Sequence, residues 1–375
     1  MLTRLLRSCA FVAAALPLLA QAANVKDQPR SQFYFAIYPN FLAQYDPQSD
    51  RIVQKIPFEN GMMWDVELLH DRKHFAVVTD QQRKIEIVDL EQGKVTEVHD
   101  FTKPDTIIRI RSMQEIPGGR QWYVRVDRVK KGLDRYTFDP PQTLLYDRIE
   151  KKVVRELKKL PEILSRGAHI SPDGTKWLVN DQQGDLLVVD PTTQKQLAKI
   201  DLTTPLFTGM GRLNVGDTDL FDGRDPKHLR MLVTLSDRVQ KNRSTWGYVD
   251  IDLEQNKISK LVEWGVGPSG WGTYVARDSH FAVSGGGGFG GGGFGGGSNR
   301  SRISLYDLTT GKKVRETFEE LRPRQSLSGI SPDGSKIYVG GAGSDFQIYD
   351  SATMQKIKTV NLEGEITGEI YVLEG

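Results

Sequence analysis

The chain has 375 residues, with 50 Lys and Arg against 48 Asp and Glu, six His and a single Cys. So even a charge balance offers no basic surface for nucleic acid or for an anionic membrane. One cysteine is too few for a disulfide framework or a Cys-ligated zinc site.

The N-terminus reads as an address. Arg4 and Arg7 precede an apolar stretch from Cys9 to Ala20 that is too short to cross a bilayer, and Ala20-Gln21-Ala22 has the small-x-small form of a cleavage site. The sequence therefore predicts a signal peptide over 1–23 and an exported, periplasmic chain over 24–375 folded as one domain, with no membrane insertion. Cys9 opens the apolar stretch and does not close it, which argues against a lipoprotein anchor. Cleavage would remove Cys9, Arg4 and Arg7, leaving no cysteine and 48 basic against 48 acidic residues. A c-type haem attachment and a thiol nucleophile are then excluded as well. Stability must come from a large core, which about 350 residues supply.

Beyond the leader, short strands recur at short intervals. Phe33–Tyr38, Leu42–Pro47 and Arg51–Phe58 make three. Residues 61–101 hold four, at Met63–Leu69, His74–Asp80, Lys84–Leu90 and Lys94–Phe101. Residues 106–158 hold four more, with an insertion around Lys130 to Pro141. A unit follows at 165–202, and a longer one at 208–264 has insertions near Asp222–Lys227 and Gln240–Ser244. The next spans 269–320 and the last 325–362. The clearest copies are His169 to Asp190 and Gly329 to Asp350. Each carries Ser-Pro-Asp-Gly before an apolar strand, in which Pro presets φ and Asp-Gly supplies residues that tolerate a left-handed turn. Four β-rich strands repeated in this way predict an all-β fold, a β-propeller. Six units are complete, and the three N-terminal strands lack a fourth. The lone C-terminal strand Glu365–Leu373 completes that blade, so a seven-bladed ring closed by its own end is expected, with no long free sheet edge.

Asp89, Asp190, Asp307 and Asp350 each begin a turn after an apolar strand. An Asp there accepts hydrogen bonds from backbone N–H groups farther along the turn, so these residues read as structural. Ser284 to Ser298 is almost all Gly with Phe289 and Phe294. It lacks the following helix of a phosphate cradle and lies between two strands, which predicts a flexible loop. It serves either as a flap that docks its two Phe on a partner or as a tolerated insertion. Of the histidines (His70, His74, His99, His169, His228, His280), His70 and His74 are four apart but bracket the turn Asp71-Arg72-Lys73, so helical metal spacing does not apply. No metal site, Gly-x-Ser-x-Gly elbow or paired catalytic carboxylates can be read, and the catalytic residues stay unassigned.

Propellers commonly bind ligands where the segments entering the innermost strands converge on the central channel. Here these entries hold Trp64, Arg109, Arg166 with His169, Arg212, Trp271 and Arg324. They define a candidate site, rich in Arg and aromatic residues, for an anionic group or an acidic partner surface. The alternative is that the arginines are solvated loop charges.

The run Ser331-Pro-Asp-Gly-Ser-Lys-Ile-Tyr-Val-Gly and the turn Asp307-Leu-Thr-Thr-Gly-Lys-Lys-Val resemble the YVTN-type bacterial propeller repeat. The insertion-bearing third blade, the final blade from Gly340 to Glu365 and the closing strand resemble, more narrowly, the β subunit of quinohaemoprotein amine dehydrogenase. That resemblance implies a periplasmic, non-catalytic propeller acting as a platform. It would bind no cofactor itself, with haem and a quinone cofactor carried by partner subunits of a hetero-oligomer. It transfers no site residue, and the Gly-rich loop departs from it. Two other classes remain open: a stand-alone ligand- or protein-binding propeller, and a propeller hydrolase of the lactonase type, which would need His or acidic residues converging in the channel.

Overall fold

The structure, a computed structural model, describes residues 32–38, 40–157, 169–171, 173–181, 184–204, 210–219, 227–237, 244–266, 273–276, 279–286, 300–320, 325–341 and 344–373. Among them there is no helix. The first blade takes β1 (Gln32–Tyr38), β2 (Phe41–Asp46) and β3 (Arg51–Pro57), and the second β4 (Met62–Leu68), β5 (His74–Thr79), β6 (Lys84–Asp89) and β7 (Lys94–Asp100). The third comprises β8 (Thr106–Glu115), β9 (Gln121–Lys131), β10 (Tyr136–Phe138), β11 (Gln142–Asp147) and β12 (Lys152–Leu157). The fourth has β13 (His169–Ile170), β14 (Trp177–Asn180), β15 (Leu186–Val189) and β16 (Gln196–Ile200). The fifth has β17 (Met210–Asp219), β18 (His228–Asp237), β19 (Ser244–Asp252) and β20 (Lys257–Val266). The sixth has β21 (Thr273–Val275), β22 (Phe281–Gly286), β23 (Arg300–Asp307) and β24 (Lys312–Glu320). The seventh has β25 (Gln325–Ile330), β26 (Lys336–Gly341), β27 (Asp345–Asp350) and β28 (Lys356–Asn361), and β29 (Glu365–Leu373) ends the chain.

Seven antiparallel sheets result, and β29 joins the first as β29-β1-β2-β3. Its register runs from Gln32 opposite Leu373 to Tyr38 opposite Glu365. The expected seven-bladed propeller with C-terminal closure is therefore the observed fold. Each strand pair is local in sequence except this one, which joins the two ends of the ring and removes the edge an open sheet would leave. β21, β25, β29, β4 and β8 are successive neighbours, which makes them the inner strands of their blades, and β13 and β17 hold the same end position in their sheets.

The core lies between blades. Seven apolar clusters each straddle two successive blades. Strand β5 shows how: Phe75 and Val77 pack towards the first blade, Ala76 and Val78 towards the third. A strand covered on both faces has no reason to alternate apolar with polar residues, so Phe75–Val78 reads as an unbroken apolar run. Each large side chain so buried contributes about 1.5–3 kcal/mol.

The turns repeat more strictly than the sequence motif. Asp46, Asp89, Asp147, Asp190, Asp252, Asp307 and Asp350 all end, or directly follow, the strand next to the outermost one, and each accepts a backbone N–H two or three residues on at 2.7–2.9 Å. Four residues after each, the chain turns left-handed, at Asp50, Gly93, Lys151, Gln194, Asn256, Gly311 and Met354 (φ 50° to 68°). The structural reading of the four Asp thus extends to seven. Those N–H groups hold the carboxyls of Asp89, Asp147, Asp190 and Asp252 below their usual range.

The Ser-Pro-Asp-Gly turn also serves the ring. Ser331 Oγ donates to Asp333 and accepts the Lys336 N–H, while Lys336 Nζ reaches the Pro47 carbonyl at 3.0 Å and Asp50 at 3.3 Å. In the fourth blade Ser171, Asp173 and Lys176 repeat this, with Lys176 Nζ donating to the Leu253 carbonyl and to Asn256. Both lysines thus grip the outer turn of the next blade.

Candidate functional site

The third blade differs from the others. The stretch expected as an insertion around Lys130 to Pro141 folds as a hairpin: β9 runs on to Lys131, and β10 pairs with it, Tyr136 opposite Lys131 and Phe138 opposite Val129. Hydrogen bonds from Gly132 N to Arg135 O (2.8 Å) and from Asp139 N to Arg128 O (3.0 Å) hold its two ends. On the other side of β9, Ile107 lies opposite Val129 and Arg109 opposite Asp127. Residues directly opposite share a face, so Ile107, Arg109, Asp127, Val129 and Phe138 stand on one side of the sheet. The register slips between Ile110 and Ser112, which leaves Arg111 as the bulged residue. A bulge re-aims its side chain, and the Arg111 Nε donates to Asp127 Oδ2 at 2.6 Å.

These residues, with Arg128, Tyr136, Asp139 and Pro141, enclose a cavity of about 510 Å³. Arg128 pairs with Glu156 at 2.8 Å, and Asp139 with Lys130 at 3.1 Å. The Arg109 guanidinium has no partner among the described residues. Two residues inward from Asp127 on the same strand, Arg125 is half-buried, and its Nε has no acceptor among the described residues. Burial lowers the pKa of Arg125, and the neighbouring Arg111 charge adds to that effect against Asp127. The hairpin also projects apolar groups outward: Leu133 is fully exposed, Tyr136 63% and Phe138 76%.

Of the residues expected to line the channel, Arg109 is exposed on β8, inside the inner strand, and lines this cavity. His169 is half-buried on β13, opposite Leu178. Trp64 and Arg212 also lie within inner strands, β4 and β17, and not in loops ahead of them. Arg166, Trp271 and Arg324 fall outside the described residues, as do both insertions of the fifth blade save Lys227 and Ser244, and all of the Gly-rich segment beyond Gly286. Its flanks, β22 and β23, are paired strands of the sixth blade, as expected. Arg111, Asp127, Tyr136 and Phe138 were not singled out from sequence. A signal existed: Ile-Arg-Ile-Arg and Val-Arg-Val-Asp alternate with period two, which places each charged pair on one strand face.

On the opposite face of the third blade the polar groups serve the fold. His99, wholly buried, places Nδ1 3.1 Å from the Tyr146 hydroxyl and Nε2 3.2 Å from Glu97. Arg148 donates to the same Glu97 through Nε at 3.0 Å and Nη2 at 2.5 Å. Burial pushes the His99 imidazole down to about 4, against the pull of Glu97. His70 contacts Glu115 through Nδ1 at 2.6 Å, and this hydrogen bond raises its pKa. His74 contacts Asp71. The two histidines thus serve different carboxylates. Among the described residues no group of three or more His, Asp or Glu converges as a metal site would, and no described helix could cross a membrane.

The site and fold together define a closed seven-bladed propeller with one elaborated blade. No family model matches the chain, and no curated protein is similar to it. A solved structure shares its architecture. The dihydro-haem d1 dehydrogenase NirN in complex with DHE aligns with a TM-score of 0.53 and 15% identity, over 93% of this chain and 78% of that one. Hydrazine synthase of Kuenenia stuttgartiensis aligns with a TM-score of 0.44 and 12% identity, over 85% of this chain and 97% of the other. The likeness to NirN, at this identity, establishes the fold alone.

Proposed function

We propose that this chain is a non-catalytic propeller subunit of an exported redox assembly, a platform of the kind found as the β subunit of quinohaemoprotein amine dehydrogenase. The observation that carries this reading is the third-blade hairpin. Leu133, Tyr136 and Phe138 lie exposed within six residues, and apolar and aromatic groups gathered in this way mark a surface that partners cover. Support also comes from the repeat resemblance, and from a structural neighbour named as a dihydro-haem d1 dehydrogenase. Haem and quinone would reside in the partner chains. The polar groups of the described blades are engaged mainly in turns and inter-blade ties, which suits a platform.

Gentle purification of the tagged chain from the periplasm of its native host tests this. Co-purification of a haem-bearing chain and a small quinone-bearing chain, with the matching visible spectrum, is the expected result. Leu133→Asp with Phe138→Asp should abolish that co-purification while the chain stays folded. A colourless lone protein would replace this reading with that of a stand-alone binding propeller.

A further inference from the structure

The third-blade cavity carries an inference that does not depend on the platform reading. Its volume of about 510 Å³ falls in the range of small-ligand sites, roughly 300–1,000 Å³. Its walls are largely apolar, from Ile107, Val129, Tyr136 and Phe138. Its charges do not cancel. Arg111 answers Asp127, Arg128 answers Glu156, and Lys130 answers Asp139. Arg109 is left over, and the unaccepted Nε of Arg125 lies behind it on the same sheet face.

We propose that this cavity is a binding site for an organic monoanion, an aromatic or branched apolar body ending in one carboxylate. The Arg109 fork matches a carboxylate in two parallel hydrogen bonds. Arg111 spends Nε on Asp127, which fixes its plane and leaves its terminal nitrogens for a second contact. Asp127 thus positions Arg111 and also repels a second negative charge, so a single carboxylate suits the cavity better than a phosphate dianion. The Phe138 and Tyr136 rings take the apolar body, and stacking on a fixed hairpin costs little ordering.

Titration calorimetry on the full purified chain tests this with three probes: 3-phenylpropanoate, its neutral amide and inorganic phosphate. The carboxylate should bind at one saturable site, and the amide about tenfold more weakly or worse. Phosphate should compete poorly. Arg109→Ala should lose the preference for carboxylate over amide, and Arg109→Lys should restore part of it. Phe138→Ala should weaken carboxylate and amide alike. These residues are exposed, so the variants should melt with the parent, which separates lost binding from lost fold. The proposal is overturned by absence of saturable carboxylate binding up to about 10 mM, by unchanged affinity in both Arg109→Ala and Phe138→Ala, or by phosphate binding as well as the carboxylate.

Discussion

The two faces of the third blade use charge in opposite ways. Towards the second blade, Trp122, Val124 and Val126 pack into the core, and His99, Glu97, Arg148 and Tyr146 satisfy one another. Towards the fourth blade β8 and β9 set Arg109, Arg111 and Arg125 on the face that carries Asp127, beside the cavity. Arg109 stands exposed and unpaired there, and the buried Nε of Arg125 has no acceptor among the described residues; a fold retains a polar group left so where something else gains from it. The first face holds the ring together; the second is prepared for something from outside.

The largest break in this comparison comes from the core face. Trp122→Ala should cost about 3–5 kcal/mol, read as a lowered urea midpoint, because the cavity left between rigid blades cannot collapse. Arg148→Ala should follow at about 2–4 kcal/mol, since it strands the Glu97 carboxylate beside His99.

The same face predicts a pH dependence. The unfolded chain protonates His99 near 6.5, the folded chain only near 4. Its contribution is therefore complete above pH 6.5 and is lost as the pH falls towards 4, by about 3 kcal/mol at most. His70 works in the other direction. Its raised pKa gives a contribution complete below 6.5 that fades as the pH rises through the folded value. Urea midpoints of the parent and His99→Gln should converge from pH 7 to pH 4.5; parallel curves would refute the assignment.

Smaller effects come from the inter-blade grips. Lys336→Met should cost about 1–2 kcal/mol by releasing Pro47 and Asp50. Gly334→Ala should cost a similar amount, about 1–2 kcal/mol. It forces a Cβ into a left-handed φ of 75° and to 2.6 Å from Ser279 Oγ. Differential scanning calorimetry of both variants checks the two values. The smallest effect sharpens the comparison from the other face: Arg109→Ala should leave stability within about 0.5 kcal/mol, whatever it does to ligand binding.

Much of this molecule was legible before any coordinates. Pro332-Asp333-Gly334 and Pro172-Asp173-Gly174 announce their turns because φ demands and side-chain acceptors act within a few residues. Blade boundaries followed from those turns, and closure from the arithmetic of one missing strand. Other turns were obscured by substitution: Arg72 takes a φ of 56° where Gly174 and Gly334 stand in the clear repeats, and Gln194 and Met354 occupy left-handed positions that Gly93 and Gly311 fill elsewhere. The hairpin was read as an insertion because Tyr136–Phe138 is too short to show a period.

The candidate site was legible only at Arg109. Local chemistry in the sequence determined strands, turns and blade count, since those depend on neighbours a few residues apart. Tertiary structure alone decided which charges meet. Arg109, Asp127 and Phe138 lie far apart along the chain and face one cavity only through the register of three strands and the bulge at Arg111. Register is a cooperative property of whole sheets, and one residue of slippage would have turned every one of these side chains to the other face.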